Sequence, residues 1–169
     1  MSNSDTNFEA FYKRHAPGLR RFVSFLGADR WTADDIVAET FARVWTATAP
    51  IQAATVKAYL FTIARNLHRR GANRTIAHVE LPPDWADEAI SAERHAEGRS
   101  ELKAVLAAMG TLAQDDRAAL LMRATEQMSY AEIAAILGLS VGAAKVRVHR
   151  ARMKLARALL PTTTAGEHR

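Results

Sequence analysis

Asp34, Asp35 and Glu39 are the acids whose spacing comes nearest to a ligand set. Positions 35 and 39 are one helical turn apart, so two carboxylates would share a face able to hold a hard cation. That arrangement would suit a metal-dependent hydrolase. No matching carboxylate pair or His appears in the next helical segment, however, and no metal site is expected. No Ser-His-Asp order, P-loop or HExxH motif is present, and the six His stand singly. With no Cys there is no thiolate nucleophile, Cys-based zinc site or disulfide framework. No catalytic residue and no cofactor is therefore expected. A second kind of spacing belongs to cations. Lys145, Arg147, Arg150, Arg152 and Lys154 crowd together with His149 and Val146, and Arg65, Arg69, Arg70 and Arg74 crowd around Asn66. Such groups neutralise phosphates, and Arg, Asn or Val at a groove edge can read bases.

These residues need elements that aim them, and the periodicity predicts helices throughout. The expected fold is all-α, with two small helical domains joined by a flexible linker. Convincing β alternation is missing. In the first domain, residues 7–76, the spacing predicts a helix over Phe8–Leu26, interrupted at Pro17-Gly18. A second runs over Thr32–Thr46, with Thr32 as N-cap and Asp35 completing a capping box. Val37, Phe41 and Val44 share its inward face, and Trp45 is read as core with them. A third runs from about Val56 to Arg70, with Leu60, Ile63 and Leu67 inward and Gly71 at its end.

Residues 77–99 read as the linker, because they are acidic and hold Pro82, Pro83 and Gly98. The second domain, residues 100–160, is basic again, with helices over Glu101–Met109 and Asp115–Thr125. Ser129-Tyr-Ala-Glu132 is another capping box, and Tyr130, Ile133, Ala134 and Leu137 form an apolar stripe. Gly138 can end that helix and Ser140 can cap the next, on which Ala144, Val148, Ala151 and Leu155 face inward. Two such helices joined by a short Gly-containing turn make a helix-turn-helix. Its second helix would present Lys145, Val146, His149 and Arg150 outward to a major groove, with Arg147, Arg152 and Lys154 beside phosphates. Residues 161–169 read as a disordered tail.

Bulk composition agrees with a nucleic-acid partner. The net charge is +5 and the pI about 10.0, which favours polyanions without proving one. Hydrophobic residues make up 49%, enough for a core. The stretch 1–6 has no basic-then-apolar leader pattern, and charges break every apolar run before a membrane span. A cytoplasmic protein with no membrane insertion is expected.

"MSYAEIAAIL" followed by "LSVGAAKVRVHRARMKL" resembles region 4 of bacterial RNA polymerase sigma factors of the extracytoplasmic-function group, a branch of the sigma-70 family. "ADDIVAETFARVW" resembles region 2.1–2.2 and "KAYLFTIARNLHRR" regions 2.3–2.4, in the family's order, over roughly residues 8–75 and 100–160. The resemblance implies a sigma factor that joins core RNA polymerase through its β′ and β subunits and directs initiation at promoters with −35 and −10 elements. It implies that Asp35, Ile36, Glu39, Thr40 and Arg43 contact polymerase. It implies that Tyr59, Phe61, Arg65, Asn66, Arg69, Arg70 and Arg74 engage the melted −10 strand, although Tyr59 and Phe61 could instead pack the domain. His68 is read as an idle surface residue in preference to a phosphate donor. It implies that Lys145, Val146, Arg147, His149, Arg150, Arg152 and Lys154 engage the −35 duplex. An anti-sigma partner is implied too, and no further sensory domain is expected beyond region 4.

The chain departs from the family pattern in places. Gly142-Ala143-Ala144 stands where Gly-Thr-Val is usual, Val146 where a small polar residue is common, and Tyr59 where Trp is common. These changes bear on promoter choice. From the residues alone, the rival is a dimeric helix-turn-helix regulator of duplex DNA that never joins polymerase. It would need neither "ADDIVAETFARVW" nor the Arg and Asn cluster at 65–74.

Overall fold

A computed structural model describes residues 3–47, 56–71 and 92–160, and every described element is helical. Helix α1 spans Asn3–Phe25, α2 Arg30–Thr46 and α3 Val56–Gly71. Helix α4 spans Ala92–Gly110, α5 Gln114–Ala124, α6 Tyr130–Leu137 and α7 Val141–Leu159. Two helical modules result, α1–α3 and α4–α7. The end of the stretch read as linker is already helical, since α4 begins at Ala92. Arg74, the rest of the linker and the tail lie outside the described residues.

Besides the earlier starts of α1, at Asn3 rather than Phe8, and of α4, at Ala92 rather than Glu101, the first two helices depart from the sequence reading in two further ways, each with a physical reason. Helix α1 does not break at Pro17 but runs through it. The missing Pro N–H costs one helical bond. Burial of Ala16, Leu19, Phe22, Val23 and Phe25 along the second half of the helix outweighs that loss. Helix α2 starts at Arg30 because Asp29, not Thr32, is the N-cap: its carboxylate accepts the Thr32 amide at 2.7 Å. Between them Gly27 takes φ +109°, which lets the Ala28 amide reach back to the Val23 carbonyl at 3.0 Å.

The helix-turn-helix is built as its sequence dictates. Ser129 and Glu132 complete the capping box of α6, Gly138 ends it at φ +67°, and Ser140 accepts the Ala143 amide at the start of α7. Ala144, Val148 and Ala151 are fully buried against the module and Leu155 is half-buried.

The two modules are not separate globules. Buried residues of both join in one cluster, running from Leu19, Phe22 and Leu60 through Met122, Met128 and Ile133. Helix α3 packs on α6 and α1 on α5. Arg117 stitches the seam: it donates to the Phe25 and Leu26 carbonyls at the end of α1 and to Gly110 and Leu112 in its own module.

Candidate nucleic-acid and polymerase interface

With Ala144, Val148 and Ala151 facing in, the 3.6-residue period turns Lys145, Val146, His149, Arg150, Arg152 and Lys154 to solvent. Arg147 is half-buried, with Nη1 donating to Asp116 Oδ1 at 3.3 Å. Lys154 donates to the other Asp116 oxygen, also at 3.3 Å. The Lys145 ammonium lies 5.8 Å from the Tyr130 ring centre and the Arg123 guanidinium 4.8 Å from it, so the ring quadrupole attracts both cations. Asp116, Gly142, Ala143, Val146, Arg147, Arg150 and Lys154 line an open cleft of about 350 Å³ at the start of this helix. Ala143 carries no hydroxyl, and Ser140 supplies the cap from outside the helix, its hydroxyl accepting the Ala143 amide at 3.1 Å.

Helix α3 divides the cluster assigned to the separated strand. Tyr59, Asn66, Arg69 and Arg70 are exposed. Phe61 is 1% exposed, with its ring centre 4.9 Å from that of Phe22. Packing is therefore the structural role of this ring, and a pocket for a base would require it to leave the core. Arg65 is also buried in this arrangement, with Nη2 donating to Asp115 Oδ1 at 2.7 Å across the seam. His68 is not a surface residue: it is buried at the same seam, and the Gln114 side-chain amide donates to its Nδ1 at 2.6 Å. Sequence reasoning missed it because the neighbour is 46 positions away.

That burial has a pH consequence. Desolvation, reinforced by the Arg117 guanidinium, holds His68 below its ordinary value of 6.5. Burial does the same to His15, helped by Arg14 and Lys57 and opposed by Glu126. Protons therefore prefer the unfolded chain, so stability is complete above about pH 6.5 and declines as pH falls through it. The urea midpoint should drop between pH 7.5 and 5.5 (approximate settings around His titration), and His68→Gln should shrink the drop. Equal midpoints at both values would contradict this.

Helix α2 offers Asp35 and the Glu39–Arg43 pair, at 2.7 Å, to solvent. Ile36 and Thr40, grouped with them from sequence, face the core instead, and the Thr40 hydroxyl donates to the Ile36 carbonyl at 2.6 Å. They share the inward turn with Val37 and Phe41. Asp34 is engaged by Arg20 at 2.6 Å, and no group of three or more His, Asp or Glu among the described residues could hold a metal ion.

Trp45 corrects the core assignment in the other direction, for it is 60% exposed. Its ring meets Phe8 edge-on at 4.8 Å, and with Tyr12, Ala38, Phe41 and Ala42 the two rings line a cleft of about 450 Å³ beside the α2 acids. Phe8 and Tyr12 were legible as an i, i+4 aromatic pair. Their place in a groove was not, since it depends on the α1–α2 crossing.

The seam between the modules has a built socket. The Glu126 side chain, 7% exposed, points into the first module, where Lys57 Nζ lies 3.1 Å from Oε2 and Arg21 Nη2 3.5 Å from Oε1. Lys57 also donates to the Glu126 carbonyl at 2.8 Å. Gly18 makes room: a Cβ there would stand 2.8 Å from Oε2.

Comparison with known proteins matches this arrangement to one family. The model of "Sigma-70 region 2" matches residues 11–75 and that of "Sigma-70, region 4" residues 102–155. The ECF RNA polymerase sigma factor EcfG of Rhodopseudomonas palustris is 35% identical over 140 residues, covering 82% of this chain and 77% of that protein. Among solved structures, RpoE of Bartonella quintana, in complex with the anti-sigma factor NepR, aligns with a TM-score of 0.71. It is 28% identical and covers 90% of this chain and 96% of that one. CnrH, in complex with the cytosolic domain of CnrY, aligns at 0.70 with 28% identity, covering 92% of this chain and 88% of its own. The chain belongs to the sigma-70 family of RNA polymerase sigma factors, in the extracytoplasmic-function group.

Proposed function

We propose that this protein directs RNA polymerase to promoters in the cytoplasm and performs no covalent chemistry itself. The observation that carries the reading is a cationic helix-turn-helix face joined, in one chain, to a region 2 module whose acidic α2 edge lies open to solvent. Asp35, Glu39 and Arg43 would meet polymerase, with the aromatic cleft alongside. Ile36 and Thr40 would support that edge from beneath. Tyr59, Asn66, Arg69, Arg70 and Arg74 would hold the separated −10 strand through stacking, base-edge bonds and phosphate pairing. Phe61 would support them from the core, and Arg65 would join them once its bond to Asp115 is released. Lys145, Val146, His149 and Arg150 would read −35 base edges, with Arg147, Arg152 and Lys154 at phosphates.

Geometry adds a condition. Elements at −35 and −10 lie about 25 base pairs apart, or about 85 Å of duplex. A compact chain of 169 residues has a radius of gyration of about 15 Å, hence a width of about 40 Å. The packed arrangement cannot touch both elements, so the modules part when both are bound. The packed form would suit capture by an anti-sigma factor, which the complexes of CnrH with CnrY and of RpoE with NepR support. Nothing favours the dimeric regulator over this reading.

Run-off transcription with core polymerase, followed by mapping of start sites, tests the proposal. Retention on core and a new set of starts are expected, and a chain that does neither is not acting as a sigma factor. Within that frame, Arg150→Ala should weaken upstream-duplex binding by about 1–3 kcal/mol and relax preference at one base pair. Titration of duplexes varied at each position checks this. An unchanged preference would remove Arg150 from the base-reading set.

A further inference from the structure

Among the cations on the outer face of the second module stands a carboxylate. Asp116 lies in the first turn of α5 with its side chain 16% exposed. Its Oδ1 accepts from Arg147 and its Oδ2 from Lys154, each at 3.3 Å. Those two residues are seven positions apart on α7, hence on one face two turns apart. One short side chain from a neighbouring helix therefore fixes two long ones. Asp116 also lines the open cleft at the start of α7 with Val146 and Arg150, so its charge belongs to the surface that a duplex would approach. Its neighbour Asp115 serves the seam instead. There Oδ1 takes Arg65 at 2.7 Å, and Oδ2 is only within 4.0 Å of Arg147.

A carboxylate in this place acts on the sequence-independent part of binding. Cations attract the phosphate backbone at right and wrong sites alike, so each added free cation raises affinity without raising discrimination. Asp116 partly cancels two of them and repels a phosphate that enters the cleft in the wrong register, a repulsive element of the kind that separates partners. At the right register, Arg147 and Lys154 are already held in place and lose less freedom on binding. We propose that Asp116 is a positioning residue of the duplex-reading face, which holds Arg147 and Lys154 and repels backbone phosphate, thereby raising discrimination between sequences at the cost of overall affinity. The inference rests on the assignment of α7 as the duplex-reading helix.

The test uses the full chain with Asp116→Asn, which keeps the shape and removes the charge, and Asp116→Glu, which keeps the charge. The probes are a duplex of about 20 base pairs, enriched on the wild-type chain from a randomised pool, and a scrambled duplex of the same composition. Affinities are taken between about 50 and 200 mM salt. The Asn variant should bind the scrambled duplex about three- to tenfold tighter, with a log–log salt slope steeper by about one, and lose discrimination by a similar factor. The Glu variant should keep discrimination within about twofold of wild type, since the charge effect persists. A purely structural role would lower both affinities and the urea midpoint without steepening the salt slope, and would overturn the proposal. So would an Asn variant whose scrambled-duplex affinity and discrimination match wild type. If the wild-type chain enriches no duplex at all, the assignment of α7 itself falls, a result distinct from a variant that leaves an existing preference untouched.

Discussion

Phe61→Ala should lower the unfolding free energy by about 3–5 kcal/mol, the cost of emptying a buried aromatic site that cannot fully collapse. The ring is almost wholly enclosed, tilted at 51° against Phe22, with the Lys57 ammonium 6.0 Å from its centre. It shares its cluster with Leu19, Leu60 and Ala64, so removing it leaves a void among helices of the first module rather than a groove open to solvent. The comparison that gives this result meaning is Tyr59→Ala, two positions away and 39% exposed. That change should leave the urea midpoint close to wild type, because little packing is lost. If Tyr59 stacks on a base, its loss should appear in promoter opening instead, since base–aromatic stacking contributes about 1–3 kcal/mol per base. The two variants thus separate the alternatives that the sequence left open for both rings. A Phe61→Ala protein with a wild-type midpoint and defective opening would assign this ring to a base after all.

The helix-turn-helix was legible in the sequence because every local signal agreed. Ser129 with Glu132, Gly138 and Ser140 each satisfy backbone groups within a few residues, and Ala144, Val148 and Ala151 repeat at helical spacing. Agreement among cap, turn and periodicity leaves little for tertiary contacts to overrule. The errors arose where local signals competed. Thr32 and Asp29 are both good N-caps, and the better-placed carboxylate took the helix start two residues early. Pro17 is a strong local breaker, yet the burial on either side of it is stronger. Residue type alone misplaces Trp45 and His68, because exposure depends on what packs over them. Trp45 caps an open groove made with Phe8, and His68 lies under the second module. Arg65 shows the same limit: its acid partner is 50 positions away, and no pattern in the chain pairs them. What the sequence could not show was the seam, whose bonds join residues across the whole length of the chain. The family resemblance supplied roles for exposed and buried residues alike, and only the packing sorts one from the other.

Glu126→Lys should part the two modules. In the native chain this carboxylate enters a socket formed by Lys57, Arg21 and the bare backbone at Gly18. Reversal places a third cation beside the other two, at a position where the native side chain is only 7% exposed although Arg21 and Lys57 each keep about a third of their surface in water. Breaking a fully buried pair costs about 3–5 kcal/mol, much of it from charge left without a partner, and the water that reaches Arg21 and Lys57 makes the cost here smaller. The modules need not unfold to escape that cost. The caps and core stripes of α6 and α7 are local to the second module, and α1, α2 and α3 bury one another in the first. Small-angle scattering should therefore show the radius of gyration rising from the roughly 15 Å of a packed chain, while helical circular dichroism stays near wild type. Gly18→Ala should give a weaker form of the same effect. The methyl group would stand 2.8 Å from a carboxylate oxygen, and the Glu126 side chain must shift to admit it. Charge exchange supplies the control. Lys57→Glu combined with Glu126→Lys restores an opposite pair across the seam and should recover part of the compaction, since coupled residues do not add. If Glu126→Lys scatters as wild type does, the apolar contact of α3 with α6 holds the modules by itself. The parting needed to span a promoter would then have to overcome that burial without help from a labile ion pair.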